Sequence, residues 1–192
     1  MIVLILGLVL FLGMHSVRIV ADDWRGTQRA RRGEAAWTGI YTVVSLTGFA
    51  LIVWGYGLAR EAPIALWSPP LWTRHLAALL TLVAFLFLAA AYVPGTAIKR
   101  AVGHPMVLGT AVWAFAHLIA NGTLADGLLF GSFLMWAVAN FSAARRRDRV
   151  ARVTYPTGGV SRDLAAVLVG IVMWAAFAFY LHAVVIGVHP FG

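Results

Sequence analysis

Six histidines stand in a chain that has seven acidic residues and no cysteine. They are His15, His75, His104, His117, His182 and His189. A neutral imidazole ligates metals, relays protons or shares hydrogen bonds, and the lack of cysteine excludes thiolate ligands, disulfides and cysteine nucleophiles. Two of the six lie in one apolar stretch, AVGHPMVLGTAVWAFAHLIANG, from Ala101 to Gly122. On a helix, His104 and His117 are about 140° apart around the axis and roughly 20 Å apart along it, so they cannot share one metal ion.

His117 is flanked by Phe115, Ala116, Leu118 and Ile119, with Trp113 one turn before it and Asn121 one turn after. At that spacing Asn121 shares its face and lies within reach of the ring. An ionisable residue deep in an apolar span is a functional candidate, and the plainer alternative is a hydrogen bond between packed helices. His104 sits in a Gly-His-Pro turn, where Pro105 marks a helix start. It is either a functional group or a boundary residue at the lipid interface. His15 lies near Arg18, and His75 follows Arg74, so both also suit interfacial positions. His182 comes late in an apolar run, and His189, in HPFG, reads as structural.

Several neutral histidines on different helices suit haem, whose iron takes axial imidazoles and whose porphyrin needs apolar walls. Zinc or di-iron sites usually recruit carboxylates. Here Asp126, Asp148 and Asp163 read as loop ends, outside the helix interiors.

The elements that carry these residues follow from composition. The chain is 61% hydrophobic and 11% charged, with mean hydropathy +0.86. A soluble domain of 192 residues cannot hide so much apolar surface. Six apolar runs, roughly 1–19, 36–58, 74–93, 104–121, 124–143 and 163–188, each approach the ~20 residues that cross a bilayer. They are continuous rather than alternating, which predicts helices and not a barrel. The expectation is an all-α polytopic bundle of about six transmembrane helices, forming a single membrane domain over 1–192. The opening MIVLILGLVLFLGM lacks a basic n-region and reads as a retained first helix.

Thirteen of the fifteen basic residues fall at the end of the first run and in the first, third and fifth loops, leaving only Arg60 and Arg74 opposite. The positive-inside rule then predicts those loops in the cytoplasm and both termini in the periplasm of a bacterial inner membrane. Topology accounts for the net charge of +8, so nucleic acid is not an expected partner. Loop 59–73, with Pro63, Pro69 and Pro70, and the stretch VTYPTGGV at 153–160 are expected to be extended or turn-like.

The string HPMVLGTAVWAFAHLIANG resembles the NnrU family. The MHS of Met14, His15 and Ser16, the TRH of Thr73, Arg74 and His75, and the basic ARRRDR after the fifth run support the likeness. That family is related to the zeta-carotene isomerase of plants and cyanobacteria. The resemblance implies a membrane protein that binds haem b through histidines and is linked to nitrite and nitric oxide metabolism, with a respiratory or nitric oxide reductase complex as a partner beside lipid and haem. In the isomerase, the counterparts of His15 and His117 are the axial pair, and those of His75 and His104 belong to the same functional set. Whether the protein is catalytic stays open.

Two departures bear on activity. Ala114 stands where the isomerase has a cysteine implicated in ligand switching, so isomerisation by that switch is not expected. Gly103 stands where an arginine often precedes the His-Pro. A partial likeness of GHPMVLG to the RHPxYxG pattern of membrane methyltransferases that use S-adenosylmethionine lacks the arginine and the tyrosine.

These readings converge on one haem b with His117 as an axial ligand and either His15 or His75 as the second. His15 is estimated roughly 7 Å to the cytoplasmic side of the midplane and His117 roughly 7 Å to the outer side. That offset suits a tilted haem, whereas an upright haem favours His75. The other histidines would then support the ligands, with Arg18 and Arg74 as propionate partners and Asn121 beside the ring.

Overall fold

The computed structural model describes residues 1–156 and 158–191. The chain is all-α. Five helices are long and apolar enough to cross a membrane. They are α1 (Ile2–Val20), α3 (Glu34–Glu61), α4 (Leu71–Tyr92), α7 (Leu124–Ala151) and the run that begins with α8 (Val160–Ala176). The sixth apolar helix, α6 (Pro105–Ala120), has only 16 residues, about 24 Å. Thr96 caps the short α5 (Ala97–Val102), its hydroxyl accepting from the Lys99 amide at 3.1 Å.

The contacts between helices run in the order α3, α1, α7, α6, α4, α8, which is not chain order. α6 and α7 therefore occupy the middle. Small residues permit the closest approaches, as expected where lipid supplies no hydrophobic drive between helices. A Cβ on Gly7 would lie 2.6 Å from the Ile52 nitrogen, and one on Gly48 would lie 2.7 Å from the Phe11 nitrogen. Gly109 faces the Ala84 carbonyl across α6 and α4 in the same manner.

Loops one, three and five meet at one end of the bundle. Arg147 donates to the Arg18 carbonyl at 3.4 Å, Gly158 to the Gly95 carbonyl at 2.8 Å, and the Ala97 amide to Asp163 at 2.7 Å. At the other end, the proline-rich loop pins the α6–α7 turn through Leu66 N–H to the Gly122 carbonyl and Leu124 N–H to the Ile64 carbonyl, both 2.8 Å. The extended character expected of 59–73 holds for its proline-bearing part. The 153–160 linker is non-helical up to Val160, and Thr157 within it lies outside the described residues.

Three local expectations change. The basic first loop is a helix, α2 (Asp22–Arg32), because Asp22 and Asp23 open it and Arg29, Arg31 and Arg32 close it, as the helix dipole favours. The last run is not one regular helix. Phe177–Leu181 forms a π-helical turn ahead of α9 (His182–Ile186). The third run starts earlier than 74: α4 begins at Leu71, so His75 is its fifth residue, and Thr73 bonds back to the Pro70 carbonyl at 2.6 Å.

Candidate functional site: histidines along the central helices

His117 lies one turn before the end of α6, half-buried against α7. Its Nδ1–H donates to the Trp113 carbonyl at 2.8 Å. The ring stacks on Phe130, centroid to centroid 4.7 Å, and touches Trp113 at 5.1 Å. His15 repeats the arrangement on α1. Its Nδ1–H donates to the Phe11 carbonyl at 2.7 Å, and its ring stacks on Phe11 at 4.2 Å. A carbonyl can only accept, so each bond fixes the tautomer with the proton on Nδ1 and the lone pair on Nε2. That is the form in which a histidine ligates iron or zinc.

Asn121 does not reach the His117 ring. Its Nδ2 donates to the backbone carbonyl of His117 at 2.9 Å, alongside its own amide at 3.0 Å. As the C-cap of α6, it gives that carbonyl a second hydrogen bond beside the backbone one.

The two imidazoles are linked by a run of aromatic rings. Phe11 lies 5.8 Å from Phe133, and Phe133 lies 5.7 Å from Trp113. These rings fill the space between the His15 and His117 levels. Tyr41 and Trp136 flank His15, at 5.2 and 6.0 Å. The Trp136 indole N–H is buried without a partner among the described residues. Unpaired buried donors are costly, and Trp136 adjoins the ring whose Nε2 is free.

The donor chemistry thus fits haem at each histidine separately: an oriented tautomer, aromatic walls and, beside His15, an unspent indole N–H. The spacing sets a condition. Because this aromatic run joins the two rings, ligation of one iron by both His15 and His117 requires Phe11, Phe133 or Trp113 to move aside. No group of three or more His, Cys, Asp or Glu side chains among the described residues is arranged to hold a metal ion.

His104 is differently engaged. Its Nε2 faces Asp148 at 2.8 Å, and the Tyr155 hydroxyl donates to the same carboxylate oxygen at 2.9 Å. Burial, and then the bond to Asp148, raise the Tyr155 phenol above its ordinary value of 10.0, so it stays protonated and a donor at neutral pH. Gly103 allows the turn with φ of +74°, and the Arg145 guanidinium stands where a side chain on Gly103 would go. His104 is therefore held by a carboxylate 44 positions away in sequence.

His75 and Arg74 are exposed near the start of α4, and Arg18 lines an open groove with Arg146 and Arg147. The structure brings none of the three into hydrogen-bond contact with His15 or His117.

Two features escaped the sequence reading. Asp126 is not a solvated loop end: it is 5% exposed, and it accepts from Tyr56 at 2.6 Å and from the Thr123 hydroxyl at 2.6 Å. The Thr123-x-x-Asp126 capping spacing was a legible signal, but Tyr56, on another helix, was not. His182 also holds its Nδ1–H on a carbonyl, that of Val188 at 2.7 Å, and follows the π-helical turn. Such turns recur at functional positions.

Comparison with known proteins gives one result. Residues 3–190 match the model of a family described as NnrU protein. No curated protein and no solved structure matches.

Proposed function

The chain belongs to the NnrU protein family, and on that premise we propose that it is a haem b-binding protein of the bacterial inner membrane, acting in nitrite and nitric oxide metabolism. The single observation that carries this reading is the shared state of His15 and His117. Both rings give Nδ1–H to the carbonyl one turn back, which leaves Nε2 free among aromatic side chains. A bound haem supplies an iron that exchanges single electrons or takes a small gas ligand. The chain's own part is to orient the imidazoles through the Phe11 and Trp113 carbonyls and to exclude water with Phe130, Trp113 and Phe133. His117 is the principal ligand and His15 the second. His75, exposed and without a comparable bond, is the weaker alternative.

The test is the visible spectrum of protein purified from cells supplied with haem precursor. A b-type spectrum, with about one haem per chain by pyridine haemochrome, is the expected result. Protein that stays colourless after reconstitution with haemin would overturn the reading. A low-spin spectrum would indicate two imidazoles at the iron and displaced aromatic rings, whereas a high-spin spectrum would indicate one.

The orientation follows from charge. The end of the bundle where loops one, three and five meet bears thirteen of the fifteen basic residues, so it faces the cytoplasm. A reporter enzyme active only in the periplasm, fused at the C-terminus, is expected to be active. Activity of a cytoplasm-restricted reporter at that position would reverse the assignment.

A further inference from the structure

At the basic end of the bundle, α1 and α7 border a groove of about 330 Å³, lined by Arg18, Arg146 and Arg147 with Asp22, Ile19 and Ala143. We propose that this groove binds the phosphate headgroup of an anionic phospholipid.

The first argument is charge. Among the described residues the ion pairs are Arg25–Asp22, Arg29–Glu34, Arg145–Asp148 and His104–Asp148. Arg18, Arg146 and Arg147 have no carboxylate partner, although the chain places acids within a few residues of each. Arg147 spends one N–H on the Arg18 carbonyl, at 3.4 Å. Asp22 is the one acid in the lining, and it already pairs with Arg25 at 3.3 Å. Three guanidinium groups against one carboxylate leave an excess of positive charge that one or two phosphate groups would neutralise. The planar fork of each guanidinium suits phosphate oxygens.

The second argument is depth. A hydrocarbon layer of ~30 Å takes about 20 residues of helix. Counted from Leu124, it ends near Ala143, so Arg146 and Arg147 stand about one turn beyond it, at the level of lipid phosphates. Arg18 lies in the last turn of α1 and enters the groove from the other helix. Ala143, one turn before Arg146 on α7, presents apolar surface on the membrane side, where glycerol and acyl chains would lie. A soluble phosphate would leave that surface unused. Basic pockets between transmembrane helices recognise anionic headgroups in this way.

The experiment is native mass spectrometry of the detergent-solubilised protein, titrated with phosphatidylglycerol, cardiolipin or phosphatidylcholine. Retention of an anionic lipid, in preference to phosphatidylcholine, is expected of the unaltered protein. Each of Arg146→Gln and Arg147→Gln should weaken that retention about fivefold, at about 1 kcal/mol per arginine near the surface. Arg149→Gln, in the same basic run but outside the groove, should change it less than twofold. Equal retention of anionic and zwitterionic lipid by the unaltered protein would overturn the proposal, and this needs no variant to fold. So would an equal loss in Arg149→Gln, which would signal diffuse attraction, or displacement of the lipid by millimolar inorganic phosphate, which would signal a site for a soluble anion.

Discussion

His117→Ala is expected to lower haem occupancy more than tenfold, or to turn a low-spin spectrum high-spin if the second ligand retains the iron. His117 alone combines a central helix, a stacked aromatic neighbour and a free Nε2. Loss of groups that merely support a ligand typically costs ten- to a hundredfold in metal affinity, so loss of the ligand itself should cost at least as much. His15→Ala should act in the same direction. His75→Ala and His189→Ala should leave the spectrum nearly unchanged, since neither ring is held against a carbonyl in the bundle. His117→Ala protein with full haem and an unaltered spectrum would remove His117 from the iron and leave it as a packing residue on Phe130. His75→Ala protein that lost the spectrum while His15→Ala kept it would reassign the second ligand.

Gly48→Leu is expected to lower the midpoint of thermal unfolding in detergent by about ten degrees. A Cβ at Gly48 would stand 2.7 Å from the Phe11 nitrogen and 3.0 Å from its Cα. The obstacle is backbone, so rotamer changes cannot relieve it, and α1 must separate from α3. Overpacking of this kind costs about 3 kcal/mol, at the upper end of its usual range, and a chain of this size loses roughly 2–4 °C per kcal/mol. Phe11 also supplies the carbonyl that orients His15, so the variant should bind haem less well than its residual fold would suggest. Gly57→Leu is the control. It lies on the same helix with nothing within 4 Å of its Cβ, and its midpoint should move by no more than about two degrees. Equal loss in both variants would show that helix propensity or lipid contact, and not the α1–α3 approach, sets the effect.

The membrane class was legible in sequence because it depends on a summed quantity. Hydropathy over twenty residues survives any error in local geometry. The same holds for His117: apolar residues on both sides are enough to place it inside an apolar helix. The spacing of His104 and His117 also excluded a shared metal before any fold was known, because helical rise and rotation are constants.

What the chain order could not convey is which helix touches which. The packing order α3, α1, α7, α6, α4, α8 arises where small residues let backbones meet, and many glycines and alanines are equally eligible in the sequence. Pairings across that order were therefore invisible: Tyr56 with Asp126, His104 with Asp148, and Trp136 with His15. Asn121 shows the converse. Helical periodicity placed it beside the His117 ring, but the helix ends at Ala120, and Asn121, extended at the C-cap, turns its amide onto the His117 carbonyl instead. By itself the sequence determined an all-α polytopic membrane protein with His117 inside an apolar helix. Only the tertiary structure decided which carbonyl each imidazole bonds, and hence which nitrogen is left free, because that choice rests on contacts of a few ångströms that summed hydropathy does not resolve.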